Sequence, residues 1–245
     1  MTGSATSLPT ALAAESGIVC AVGAGGKKTT LYALADALDR AVVTATVRIP
    51  IFDDAVADVV VTDNPAAAVR ATDDWPIGVV PEREREDRYR GYAPSTIATI
   101  DAVPSVQTTL VKADGARMRQ LKAPNEHEPQ LPVGVDTVLV LASVHVVGEA
   151  LTDECVHRPK QVATITGREY GDELTPVDVA TVLASEQGGQ KAIPADATAI
   201  AVLNMVDNDT DRAVAERIAD AIGDSAFDRV VLARMQTPEI VAVRE

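Results

Sequence analysis

The stretch IVCAVGAGGKKTTL, from Ile18 to Leu31, decides the fold. Ile18 to Val22 is an unbroken apolar run, the pattern of a strand buried on both faces. Gly23, Ala24, Gly25 and Gly26 make a turn with almost no side chain. Thr29 to Arg40 then has helical periodicity, with Leu31, Leu34, Ala35 and Leu38 on one face. A strand that passes through a glycine turn into a helix is a recipe for holding a polyphosphate. Backbone N–H groups converge on the oxygens, and the helix N-terminus adds positive potential. A lysine neutralises the terminal phosphates while a hydroxyl ligates Mg²⁺.

The spacing departs from G-x-x-x-x-G-K-[ST] in either register. With Lys27 as the phosphate lysine, Ala21 holds the first glycine position and Lys28 the hydroxyl position. With Lys28 in that role, Lys27 displaces the preceding glycine and Thr29 follows correctly. The alternative is an ordinary Gly-rich turn. Against it, two lysines at a helix start oppose the dipole unless an anion is present.

Outward from this segment, strands are expected at Ala41–Val47, Asp58–Thr62, Thr108–Ala113, Val135–Leu141 and Ala199–Leu203, with a last one at Arg229–Ala233. Helices are expected at Pro65–Asp73, Ser95–Val103 (capped by Ser95), Lys160–Thr166, Pro176–Glu186 and Thr210–Ile222. This alternation predicts a single α/β domain over residues 1–245: a mainly parallel sheet with helices on both faces, P-loop NTPase-like at its glycine turn. Residues 115–132 and 144–158 read as functional loops above the sheet. Pro81 to Pro94, PEREREDRYRGYAP, reads as a solvated excursion with at most one helical turn.

Composition narrows the class. The 245 residues carry 36 Asp+Glu against 22 Lys+Arg, a formal charge of −14, which excludes nonspecific nucleic-acid binding. With 47% hydrophobic residues in periodic segments the chain is not disordered. An Asp-rich, Lys-poor coat suits a salt-rich, halophilic cytosol. Cys20 and Cys155 form no CxxC pair and imply neither a disulfide framework nor a zinc cluster. Met1 to Ser16 has no export pattern, and Val133 to Gly148 is too short to span a bilayer, so a cytoplasmic protein without membrane contact is expected.

Further candidates lie beyond the glycine turn. Asp114 follows an apolar strand, where an acid can hold Mg²⁺ as a Walker-B Asp does, or can simply shape a turn before Gly115. Arg117, Arg119 and Lys122 make a basic cluster that could clamp an anion or bridge surface acids. Glu126, His127 and Glu128 lie between Pro124 and Pro129. His127 there is a proton-transfer candidate or a structural histidine. Asn204 and Asp207, in LNMVD, read as a guanine-recognition pair or as a strand-end Asn followed by a cap.

The blocks GAGGKKTTL, VVTATVRIP, ADGARMRQLKAPNEHEP, VHRP and VLNMVD, spread from about Ile18 to Asp207, resemble the selenium-dependent molybdenum hydroxylase accessory protein family, the YqeC type. The resemblance implies a P-loop-like nucleotide-binding protein that helps mature hydroxylases carrying a molybdenum cofactor with labile selenium. In an ungapped comparison Lys27 takes the phosphate role and Lys28 replaces a Thr, while Thr29 keeps the next hydroxyl and Thr30 follows. Lys112 stands where the family usually has Glu. Asp114, Gly115, Arg117, Lys122, Ala123, Pro124, His127, Glu128 and Pro129 match, as do His157, Arg158 and Pro159. The expectation is a Mg²⁺-dependent protein using ATP or GTP. Lys27, Asp114, Arg117 and His127 would be catalytic, and Thr29 and Asp114 would hold the metal. Arg119, Lys122, Glu126, Glu128, His157 and Arg158 would meet a second substrate or a partner, such as a molybdenum hydroxylase or its cofactor. The rival expectation is a non-catalytic carrier that uses nucleotide, or merely an anion, as a structural ligand during cofactor insertion.

Overall fold

The computed structural model describes residues 6–223 and 226–245, so the first five residues of the stretch inspected for an export pattern lie outside it. The strands are β1 (Gly17–Gly23), β2 (Ala41–Ala45), β3 (Ile49–Pro50), β4 (Asp58–Val61), β5 (Ile77–Val80), β6 (Arg88–Tyr89), β7 (Thr108–Lys112), β8 (Leu121–Lys122), β9 (Thr137–Ser143), β10 (Val156–His157), β11 (Thr198–Asn204), β12 (Arg229–Arg234) and β13 (Glu239–Arg244). The helices are α1 (Leu8–Ala11), α2 (Lys27–Ala37), α3 (Pro65–Ala71), α4 (Pro94–Asp101), α5 (Pro159–Thr166), α6 (Pro176–Ala184) and α7 (Asp209–Ile222).

Nine strands form one sheet in the order β13-β12-β11-β9-β1-β7-β2-β5-β4. Every neighbouring pair is parallel except β12–β13. Parallel strands need crossovers, and the crossover helices cover both faces. On one face Val69, Ile97, Ile100, Val162, Val179 and Ile218 close over Cys20, Val111 and Val140. On the other, Leu8, Leu12, Leu31 and Leu34 close over Val19, Leu110 and Leu139. Each such fully buried aliphatic chain contributes about 1.5–3 kcal/mol. Parallel direction has a second effect: β1, β7, β9 and β11 all end at one edge. Gly23, Asp114, Ser143 and Asn204 are therefore delivered side by side.

Several expectations change. The second helix begins at Lys27, two residues before Thr29, because Gly26 at φ 124 serves as its N-cap. Ser95 does not cap α4; Ala93 stands at the cap and Pro94 takes the first turn, where its missing N–H costs nothing. Arg229–Arg234 is not the last strand, since β13 returns antiparallel to it. Strand β5 was not anticipated: Ile77–Val80 is short and carries a glycine. The charges of the Pro81–Pro94 stretch are solvated as expected, but the segment is also anchored, with β6 pairing β3 and Tyr89 and Tyr92 buried. The two expected loops meet, Leu121–Lys122 pairing with Val156–His157 in a small parallel ladder.

Candidate functional site

The glycines of the turn are required by close packing. Gly23, Gly25 and Gly26 all have positive φ. A Cβ would strike the Leu141 carbonyl at Gly23, the Ser143 amide at Gly25 and the Asn204 side chain at Gly26. The turn is thus pressed into the ends of β9 and β11. Three of its N–H groups are spent internally: Gly23 on Asp114 Oδ2 (2.8 Å), Ala24 on Leu141 O (2.9 Å) and Gly25 on Arg119 O (3.0 Å). Among the described residues no side chain caps α2, which leaves the N–H groups at its start without a side-chain cap.

Lys27 turns inward and Lys28 does not. Lys27 is 5% exposed, donates to the Gly23 carbonyl and lies 2.9 Å from Asp114 Oδ1. Oδ1 is thus held by the Lys27 ammonium as an ion pair. Asp114 Oδ2 accepts from Lys122 at 2.7 Å. Lys122 also meets Glu128 Oε2 at 2.7 Å, and Arg158 meets the same oxygen at 2.7 Å. A charge chain therefore runs Lys27–Asp114–Lys122–Glu128–Arg158 from the glycine turn to the HRP block.

The electrostatics follow from burial and pairing. Burial resists the Asp114 charge, yet Lys27 and Lys122 outweigh it and hold the carboxyl below the usual carboxylate range. Glu128 is likewise resisted by burial and held low by Lys122 and Arg158. Burial lowers the Lys27 pKa in spite of Asp114. Lys112, also buried, is pushed down to about 7 by desolvation, with Lys27 adding repulsion. Its ammonium donates to the Arg48 carbonyl at 2.8 Å. His157 is pushed down to about 4 by burial and by Arg158 and Lys122, so it is neutral at physiological pH.

The remaining candidates separate into those near the turn and those away from it. Thr30 is buried and donates back to Gly26 O, whereas Thr29 is exposed. Arg117 is exposed at φ 49, and Arg119 touches the turn through its carbonyl. Glu126 and His127 are exposed and pair with each other at 3.2 Å, outside the charge chain. Asn204 is 3% exposed, gives its amide to Gly25 O (2.8 Å) and accepts from Met235 N (3.0 Å). Asp207 sits at the surface between Arg234 (3.5 Å) and His145 (3.8 Å). Sequence reasoning missed Gln120 and Ser143, whose backbones bond at 2.9 Å and seat the ADG loop on β9. A backbone contact leaves no residue-type signal.

The family model described as YqeC protein matches residues 19–160, more than half of the chain. The chain belongs to the YqeC family. It is 31% identical over 183 residues to the protein described as "Uncharacterized protein YqeC" of Escherichia coli (strain K12), covering 72% of this chain and 71% of that one. No solved structure matches. The YqeC match runs from the glycine turn through Arg158 and so includes the whole charge chain. Asn204 and Asp207 lie beyond it. Among the described residues no helix is long and apolar enough to cross a membrane.

Proposed function

We propose that this YqeC-family chain binds a nucleoside triphosphate with Mg²⁺ at the start of α2, as a P-loop-like protein, and hydrolyses it or transfers its phosphoryl group. The observation that carries this reading is the juxtaposition of buried Lys27 and Asp114 beneath an uncapped helix N-terminus. An ammonium and uncapped N–H groups suit phosphate oxygens. The residues also fit a metal, because Asp114 is a buried, ionised carboxylate whose Oδ1 is held only by the Lys27 ammonium, a partner that phosphate oxygens could draw away. Asp114 would hold the ion, with Thr29 the hydroxyl that the family resemblance assigns to it; bound Mg²⁺ would supply charge neutralisation on the phosphates. Asn204 is buried with its amide on Gly25 O and its oxygen on Met235 N, so it braces the turn, and base reading in this proposal falls to the surface residue Asp207. Residues Arg117 to Glu128, with His157 and Arg158, face the second substrate or partner. By the family resemblance, that partner belongs to the maturation of selenium-dependent molybdenum hydroxylases.

A second reading has its own support. Gly23, Ala24 and Gly25 have already used their N–H groups, so the cradle left for an anion is smaller than a triphosphate would use. This favours a non-catalytic carrier that holds a smaller anion. Calorimetry with MgATP and MgGTP at matched high KCl decides between them. Mg²⁺-dependent binding that falls at least about tenfold in Lys27→Ala supports the nucleotide site. No binding of either nucleotide to the wild type sinks it, and phosphate release unchanged by Lys27→Ala points to the carrier.

A further inference from the structure

The charged stretch Pro81–Pro94 has no part in the nucleotide reading, yet it folds into the wall of a second cleft. Strand β6 pairs with β3, and Tyr92 N donates to Ala45 O at 2.8 Å. Gly91 lies against the Thr46–Val47 backbone so closely that any Cβ would collide. Two buried tyrosines pin the wall, Tyr89 to Asp53 (2.7 Å) and Tyr92 to Thr62 O (2.6 Å). Opposite stands Gln130, at the end of the ADG block, whose carbonyl accepts from Thr46 Oγ1 at 2.7 Å. The cavity between them is about 550 Å³. It opens at the carboxyl ends of β2 and β5, with β7 between it and the glycine turn's strand. That is the edge where open parallel sheets take ligands, and the volume suits a small molecule.

The lining carries two guanidinium groups, Arg48 after β2 and Arg90 on the 81–94 wall, each paired with a carboxylate of that wall, and a third acid, Asp63. Arg48 presents its full fork to Glu84, Nε and Nη2 each 2.6 Å from an oxygen. Arg90 meets Glu82 at 3.1 Å. The Arg48 side chain is 61% exposed, so this pair is solvated and exchangeable. A ligand oxyanion can use the same two-pronged geometry. Lys112 holds the Arg48 carbonyl from behind, which fixes the backbone while leaving the side chain free to change partners.

We infer that this cleft binds a small oxyanion-bearing molecule, a carboxylate or phosphate compound, which takes Arg48 over from Glu84. It goes beyond the nucleotide reading by adding a small-molecule cleft one strand away, separate from the Arg117–Glu128 face, and it can be tested independently of that reading. Side-chain Nε–H NMR signals of Arg48 and Arg90 are followed while succinate, and separately inorganic phosphate, is added at fixed chloride concentration. At least one signal shifts and saturates, and the anion that does this identifies the source. Glu84→Gln, which frees the fork, tightens binding at least about fivefold, whereas Arg48→Gln weakens it at least about tenfold. Lys27→Ala leaves the titration unchanged whether or not nucleotide binds. Saturation by neither anion, equal affinity in both variants, weaker binding in Glu84→Gln, or a response lost in Lys27→Ala overturns the inference.

Discussion

Asp114 concentrates the physics of the site in one carboxylate. It is 2% exposed, ion-paired to two ammonium groups and bonded to the Gly23 amide. Such a group binds parts together only while its charge is present. Asp114→Asn keeps the size and removes the charge, so Lys27 and Lys122 lose their shared partner in a dry setting. Breaking one member of a buried charge set costs about 3–5 kcal/mol, and that loss is expected in urea unfolding at neutral pH. An exposed control, Glu239→Gln, disturbs a pair with Arg234 at 3.2 Å and changes stability by less than about 1 kcal/mol. Equal effects in the two variants would mean the buried chain is not holding the loops. Asp114 was visible beforehand at the end of an apolar strand, Lys122 in a basic cluster and Glu128 in a proline-bounded loop, whereas Arg158 stood out only through the family resemblance. Their order in one chain of contacts was not visible, since it depends on how two loops cross in space.

At the scale of elements, the sequence is informative wherever an element's own residues determine it. β1, β7, β9 and β11 are apolar runs that must be buried on both faces, and their ends fell close to where periodicity puts them. β5 and β13 were hidden because what makes them strands is a neighbour. Ile77–Val80 lies between β2 and β4, and Glu239–Arg244 leans on β12. The anchoring of the excursion at 81–94 was hidden for a related reason: its charges face solvent as expected, while Tyr89 and Tyr92 face in and β6 needs β3 as partner. The glycine turn is the element most dependent on packing. Gly25 has φ 77 and abuts the Ser143 backbone, so Gly25→Ala must both adopt a strained conformation and push β9 away. The expected result is a loss of more than about 1 kcal/mol in thermal or urea unfolding. Anion binding at α2 should fall with it, because the turn also carries Gly25 N to Arg119 O. An unchanged melting temperature in Gly25→Ala would show that the turn is not clamped as described.

At the scale of the molecule, the −14 charge and the site pull in opposite directions. Of the six lysines, Lys27, Lys112 and Lys122 are buried at one edge of the sheet with Arg158 beside them; Lys112 is about half charged at neutral pH, and among the described residues Asp114 and Glu128 are the acids paired with this group. The site is therefore a cationic spot in an anionic surface, and which field an approaching anion feels depends on salt. The Debye length is about 30 Å at 0.01 M and about 3 Å at 1 M. At low salt an incoming MgATP meets the repulsion of the whole protein before it can sense the spot. At high salt the far field is screened, while the buried contacts, shielded from ions, keep most of their strength. Association of a fluorescent MgATP analogue, followed by stopped flow, should therefore accelerate as KCl rises from about 0.01 to about 1 M, with dissociation changing less. An ordinary basic nucleotide site slows over the same range, because salt screens the attraction that steers the ligand in. A rate that falls with salt would mean the local cations dominate the far field, and the acidic coat would then have no hold on how the ligand arrives.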